Sequence, residues 1–300
     1  MRVDWRGIVA GLSTVTDDEG ELDEEGIRNQ VRFDLDKGAH GLAVSIMAGE
    51  FHKFSDAERM KAFEIVVDEA NTRVPVLAGV SHSGTNPAMM LAKHAKDVGV
   101  DGIILMPAYF ERIQSSLSLH EQFSTILSKV DIPMMIQDAE DVVGVHMCPT
   151  LYARLAKEYS HVVSIKVEGA RTLEKIQEIR GLLGDELVIF GGMAAKNMLK
   201  ELQLGAKGNI ADSCLIDLLV QVYEDHVAGN ANKAKEIFER YKLWVDFLFL
   251  HMISASEIEK ETLRLRGVIK SSHTRPPGIA LDESDRAELK YVLQKMSMIP

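Results

Sequence analysis

Short apolar runs of strand length recur along the chain and alternate with longer stretches of helical pattern. The runs cover residues 7–14, 41–46, 74–80, 102–107, 133–138, 162–167, 187–192 and 208–213. Each is rich in Val, Ile, Leu and Met and nearly continuous in apolar character, as expected of parallel strands covered by helices. Between them, residues 23–37 place Ile27, Val31 and Leu35 on one helical face. Residues 55–70 form another helix, opened by Ser55 and Glu58 at capping-box spacing, and residues 173–183 a third. Eight strand–helix pairs in succession predict an α/β fold, a (β/α)8 TIM barrel. The repeated Gly38-Ala39-His40-Gly41, Gly99-Val100-Asp101-Gly102 and Gly205-Ala206-Lys207-Gly208 each separate a helix from the next strand. The first glycine suits a left-handed helix end and the second a tight strand start. A doubly wound open sheet is the rival, but Thr14-Val15-Thr16-Asp17-Asp18 is no glycine-rich phosphate turn.

After Ser213 the strands stop. Residues 215–228, 231–250, 255–269 and 283–296 read as helices, with Arg275-Pro276-Pro277-Gly278 interrupting them. This predicts a barrel over residues 1–228 and, over 229–300, a C-terminal three-helix extension packed on it. The extension's apolar faces need a partner. Trp244, Phe247 and Phe249 lie around several faces of one helix, which suggests burial at a subunit or domain contact.

Composition narrows the function classes. Of 300 residues 46% are hydrophobic and 26% charged, ordinary for a globular protein. A net charge of −11 argues against nucleic-acid partners, which need a basic face. The two cysteines, Cys148 and Cys214, indicate neither a disulfide framework nor a zinc site. His146 and Cys148 lack a third ligand at useful spacing. Residues 1–6 do not read as a signal peptide, and no apolar run spans a membrane. The expectation is a soluble cytoplasmic protein without cofactor or metal.

The most informative residue lies in the sixth run, Val162-Val163-Ser164-Ile165-Lys166-Val167-Glu168. Strand alternation predicts Val163, Ile165 and Val167 toward the helices and Ser164, Lys166 and Glu168 into the barrel. Lys166 would then stand near the strand's C-terminal end, where barrel enzymes carry their chemistry. A buried lysine must be paired or lose its charge. Either Glu168 or another interior carboxylate neutralises it and it holds the barrel layers together, or its neutral amine attacks a carbonyl to form a Schiff base.

Several windows together resemble the dihydrodipicolinate synthase and N-acetylneuraminate lyase family of class I, Schiff-base aldolases. Residues 17–23 are similar to the family's opening turn, and 41–50 to its GTTGE segment. Residues 74–80 are similar to its third strand, Pro107-Ala108-Tyr109 to its Pro-Tyr-Tyr turn, and Arg275-Pro276-Pro277 to a common C-terminal motif. Ser164-Ile165-Lys166 falls at the Schiff-base lysine. The resemblance implies a lyase acting on a 2-oxo acid such as pyruvate through Lys166, in a homotetramer or dimer, without nucleic-acid or membrane partners. It implies roles for Tyr109, which in the family reaches a neighbouring subunit's site, and for Gly191, Gly192 and Ile210 beside the substrate. The departures are equally specific. Ile46-Met47-Ala48-Gly49-Glu50 replaces the threonines, leaving the amides of Ala48 and Gly49 to hold a carboxylate and Met47 to make the pocket floor apolar. Gln137 stands at the proton-shuttle tyrosine; it cannot act as acid or base, and its expected catalytic part is to orient water or a substrate hydroxyl. Val142 aligns with a substrate-binding arginine. These losses argue against dihydrodipicolinate synthase itself, because general acid–base catalysis contributes roughly 10²–10⁴-fold. Candidate replacements are Tyr109, Asp138, Glu140, Glu168, His82 and His52. The same losses leave open a non-catalytic paralogue that binds an oxo acid or sugar acid.

Overall fold

The computed structural model describes residues 5–110 and 114–300; the N-terminal reading rests partly on residues 1–4, outside that range. Eight parallel strands close into a barrel in sequence order. They are β1 (Gly7–Gly11), β2 (Gly41–Val44), β3 (Val76–Gly79), β4 (Gly102–Leu105), β5 (Met134–Asp138), β6 (Val162–Val167), β7 (Val188–Gly191) and β8 (Gly208–Asp212). β1 and β8 seal the ring, from Gly7 opposite Gly208 to Gly11 opposite Asp212. The outer helices are α1 (Glu24–Asp36), α2 (Asp56–Ala70), α3 (Thr85–Val98), α4 (Ser116–Leu127), α5 (Glu140–Val143), α6 (Pro149–Glu158), α7 (Thr172–Leu183), α8 (Met198–Gln203) and α9 (Ile216–Val227). α10 (Ala231–Leu250), α11 (Ala255–Leu265) and α12 (Glu283–Lys295) follow. No helix among the described residues is long and apolar enough to cross a membrane.

The glycine pairs do what their spacing predicts. Gly38, Gly99 and Gly205 have φ of 85°, 89° and 98°, a conformation that costs other residues strain. Gly208 is required by close approach, since a Cβ there would fall 1.9 Å from the Gly7 carbonyl oxygen. Ser55 and Glu58 form the capping box of α2. The second extension helix of the sequence pattern, residues 255–269, is shorter than predicted. α11 stops at Leu265 because Gly267 turns left-handed at φ 75°.

The barrel interior is filled by one side chain from each strand: Val9, Ala43, Leu77, Ile104, Met135, Val163, Phe190 and Ile210. Trp5 joins this layer. The placement of Val163 corrects the simple alternation. Between β5 and β6 the register slips, with Met134 opposite Val162 but Met135 opposite Ser164. Val163 is the extra residue of this irregularity and packs inward. Beyond the slip, Ile165 and Val167 pack outward under the helices, as predicted.

The extension buries Trp244 and Phe247 within this chain, as a domain contact would, while Phe249 stays half-buried. Trp244 and Tyr241 are fully buried, Phe247 is nearly so, and the Trp244 indole donates to Thr262 Oγ1 at 3.1 Å.

Candidate active site

Lys166 emerges from β6 at the C-terminal end of the barrel, only 4% exposed, into a cavity of about 240 Å³. Its Nζ lies 3.0 Å from Glu168 Oε1. The ion pair of the bland alternative therefore exists, yet the cavity leaves room beside it. Glu168 accepts two further hydrogen bonds, from Gln137 Nε2 at 2.6 Å and the Met193 N–H at 2.9 Å. Burial alone would raise this carboxyl. Lys166, the Met193 N–H and Gln137 outweigh burial and hold it below the usual carboxylate range. Gln137 pairs with Lys166 in the β5–β6 register and so touches the lysine's partner from the adjacent strand.

The turn after β2 contributes Ile46, Met47 and Ala48 to the cavity wall. The Gly49 N–H is already spent on the Ile46 carbonyl at 3.0 Å, and the Gly49 carbonyl accepts from Thr14 Oγ1 at 2.6 Å. Of the two amides proposed to hold a carboxylate, Ala48 is thus the better placed. Glu50 closes the turn at φ 52° and is bound by Lys53 and, at 2.9 Å, by Lys260 of α11.

The glycines after β7 make room for side chains. A Cβ on Gly191 would meet Glu201 Oε2 at 1.9 Å, and one on Gly192 would meet Glu168 Oε1 at 2.3 Å. The chain then enters a left-handed turn, with φ of 54°, 49° and 54° at Met193, Ala194 and Ala195. Such residues cost about 1–2 kcal/mol each and persist where the surroundings impose them. Here Glu168 holds the Met193 N–H, and the Tyr241 hydroxyl donates to the Ala194 carbonyl at 2.8 Å. Met193 and Ala194 both line the cavity.

The remaining candidates disperse. Ile210, Val142 and His52 line the cavity. Burial, then Lys53, lowers the His52 pKa. Asp138 points outward from β5, where Lys175 Nζ and the Tyr152 hydroxyl bind it at 2.7 and 2.6 Å. Lys175 also takes Glu140, at 2.9 Å. Tyr109 stands off the cavity, edge-on to Phe51 at 5.9 Å, and burial raises its pKa. His82 lies 3.8 Å from Asp56.

Two acidic cavity residues escaped the sequence reading. Asp212 ends β8, and Glu259 reaches over from α11. Both are buried in the wall of the same cavity, close enough for each carboxyl to shift the other's ionisation. Burial raises Asp212 to about 6, and burial together with Asp212 raises Glu259 well above its ordinary value. Asp212 shares the inward parity of Ile210, so the pattern of β8 contained its position. Glu259 belongs to a buried stretch, 257–261, in which every residue but Ile258 is charged, in a helix whose docking face the sequence did not reveal. Leu248, Phe249 and Met252 complete an apolar rim. A paired lysine, neighbouring buried carboxyls and an apolar wall around one cavity suit covalent capture of a carbonyl with local proton transfer.

Comparison with known proteins agrees with this architecture. The sequence model of the dihydrodipicolinate synthetase family matches residues 4–296. The 4-hydroxy-tetrahydrodipicolinate synthase of Methanopyrus kandleri is 32% identical, over 98% of this chain and 97% of that protein. The synthase of the same name from Syntrophus aciditrophicus is 31% identical, over 93% and 94%. The solved dihydrodipicolinate synthase from Aquifex aeolicus superposes with a TM-score of 0.92 at 26% identity, covering 98% of this chain and 99% of that one.

Proposed function

The chain belongs to the dihydrodipicolinate synthetase family, and from that premise we propose that it is a class I lyase using Lys166 to form a Schiff base with a 2-oxo acid such as pyruvate. The observation that carries this reading is the position of Lys166, at the C-terminal end of a barrel strand, buried, and facing a cavity with space for a small ligand. The amine adds to the ketone carbon, water leaves, and the protonated imine withdraws electrons from the adjacent carbon. Cleavage, condensation or dehydration next to the former carbonyl then becomes accessible. The Ala48 N–H at the cavity wall receives the substrate carboxylate, and Gln137 fixes Glu168 beside the amine.

The second substrate differs from that of the named synthases. Val142 lines the wall at the position where the resemblance implies a substrate-binding arginine, and the rim is made of Met47, Leu248, Phe249 and Met252. Three carboxyl side chains, Glu168, Asp212 and Glu259, share this cavity with one lysine. This lining disfavours a further anionic group and favours an uncharged partner. The proposed assembly is a homo-oligomer, dimer or tetramer, supported by Phe110, which is 83% exposed and packs edge-on to Tyr109 at 5.4 Å.

Borohydride reduction in the presence of pyruvate tests the reading. A stable mass adduct on Lys166, abolished in Lys166→Ala, is the expected result. Thermal stabilisation by oxo acids without any adduct, unchanged in Lys166→Met, would instead identify a non-catalytic binding protein.

A further inference from the structure

The tyrosine that the family uses to move protons is Gln137 here, and an amide cannot replace it. Resting on the Schiff-base reading, we propose that the Asp212–Glu259 carboxyl pair is the proton-transfer group of the Lys166 site, donating to the departing oxygen and accepting from the substrate carbon.

The geometry joins three distant segments. Asp212 occupies the last position of β8, one inward step beyond Ile210, and Glu259 descends from α11 of the extension. Both line the cavity that Lys166 enters. Glu259 Oε2 is buried and has no hydrogen-bond partner among the described residues. Two neighbouring carboxyls buried on one cavity resist joint ionisation, so the pair holds one proton across the range where isolated carboxyls have lost theirs. An acid and its conjugate base then stand side by side, which is what a relay needs.

The charged surroundings support this assignment. From β6, Lys166 draws Asp212 toward ionisation while Glu168 opposes it. From the turn after β2, Glu50 opposes ionisation of Glu259; on α11 itself, Lys260 favours it but is committed to Glu50. Cys214 after β8 and Tyr241 on α10 lie within electrostatic reach of both acids, and burial keeps both of these groups protonated. His52 faces the same cavity.

The protons balance. Lys166 as an ammonium and a ketone yield a protonated imine and water, which requires two protons to travel from nitrogen to oxygen. The pair gives its proton to oxygen and takes a replacement from nitrogen, twice, and ends as it began. Removing a proton from the carbon beside the imine gives the enamine, and the pair accepts that proton. When the enamine adds to a carbonyl partner, the new alkoxide recovers it.

Pyruvate in D2O provides the test, because enamine formation exchanges its methyl protons and NMR follows their loss. Wild type should exchange, with a rate that rises as pH climbs from 5 to 8, because Asp212, raised only to about 6, gives up one of the pair's two protons and leaves the single shared one. In Asp212→Asn and Glu259→Gln the exchange rate should fall at least 100-fold and lose this pH dependence. Endpoint borohydride trapping on Lys166 should persist in both variants, which also establishes that they fold. Trapping with wild-type exchange rates in both variants overturns the pair's role and leaves the Schiff base standing. A pH-independent exchange rate in wild type overturns it without any variant. Absence of trapping in wild type overturns both readings.

Discussion

Glu201 gives the sharpest stability test, because its environment is simple and lies just behind the site. It is 1% exposed on α8, under Gly191, and accepts a hydrogen bond from Asn209 Nδ2 at 2.9 Å. Burial raises its pKa to about 8, with Glu168 adding to the shift and Lys166 opposing it. The folded state therefore binds a proton that the unfolded chain releases near its ordinary value of 4.5. The stability owed to this proton is fully present below that value and is lost as pH rises through about 8. The full span is about 5 kcal/mol, at 1.36 kcal/mol for each unit of difference. Glu201→Gln keeps the shape and the oxygen that accepts from Asn209, but it cannot ionise. Its advantage over wild type should grow from about 1 kcal/mol at pH 5 to about 3 at pH 7 and between about 4 and 5 at pH 9. Urea unfolding at the three pH values, followed by fluorescence of the buried Trp5 and Trp244, measures it. A constant difference across pH would mean that Glu201 ionises in the folded state as it does unfolded, and the burial argument would fail.

Two further perturbations probe the elements around the lysine. Gly192→Ala places a methyl 2.3 Å from Glu168 Oε1. The carboxylate must retreat by about 1 Å to reach normal contact, and losing the Met193 N–H costs about 1.5–3 kcal/mol. The pyruvate concentration for half-maximal borohydride trapping should rise at least about tenfold; an unchanged titration would show that Glu168 is not what positions the amine. Lys260→Met removes a fully buried ammonium bonded to Glu50 and, at 3.0 Å, to the His273 carbonyl. Leaving Glu50 with only Lys53 should cost about 3–5 kcal/mol. Adding Glu50→Gln should recover part of that loss, and a urea midpoint insensitive to either change would refute it.

The barrel was legible because parallel strands leave continuous apolar runs, and because Gly38, Gly99 and Gly205 mark the helix ends with a conformation that favours glycine. Lys166 was legible because a charge inside such a run has few structural excuses. What escaped was non-local. Val163 turned inward because of a register slip between two strands, which no single strand encodes. Gly191 and Gly192 looked like substrate-facing residues, whereas their missing side chains are filled by Glu201 and Glu168. Asp138 carried the polarity expected of a site residue, but its strand parity sends it to Lys175.

The extension shows most clearly why the chemistry could not be read from the strands alone. A barrel mouth is open to water, and water would relax two carboxyls toward ordinary ionisation. Here α10 and α11 cover the site and leave Asp212 and Glu259 buried. Tyr241 of α10 pins the left-handed turn after β7 through the Ala194 carbonyl, while α11 carries Glu259 onto Asp212 and Lys260 onto Glu50. The pair exists only when the extension is docked, since one carboxyl comes from each side of that contact. Docking and proton chemistry are thus one structural event. A perturbation that loosens α11 without touching the cavity should therefore impair proton exchange before it impairs the barrel, in which Lys166 is held by β6 and its neighbours alone.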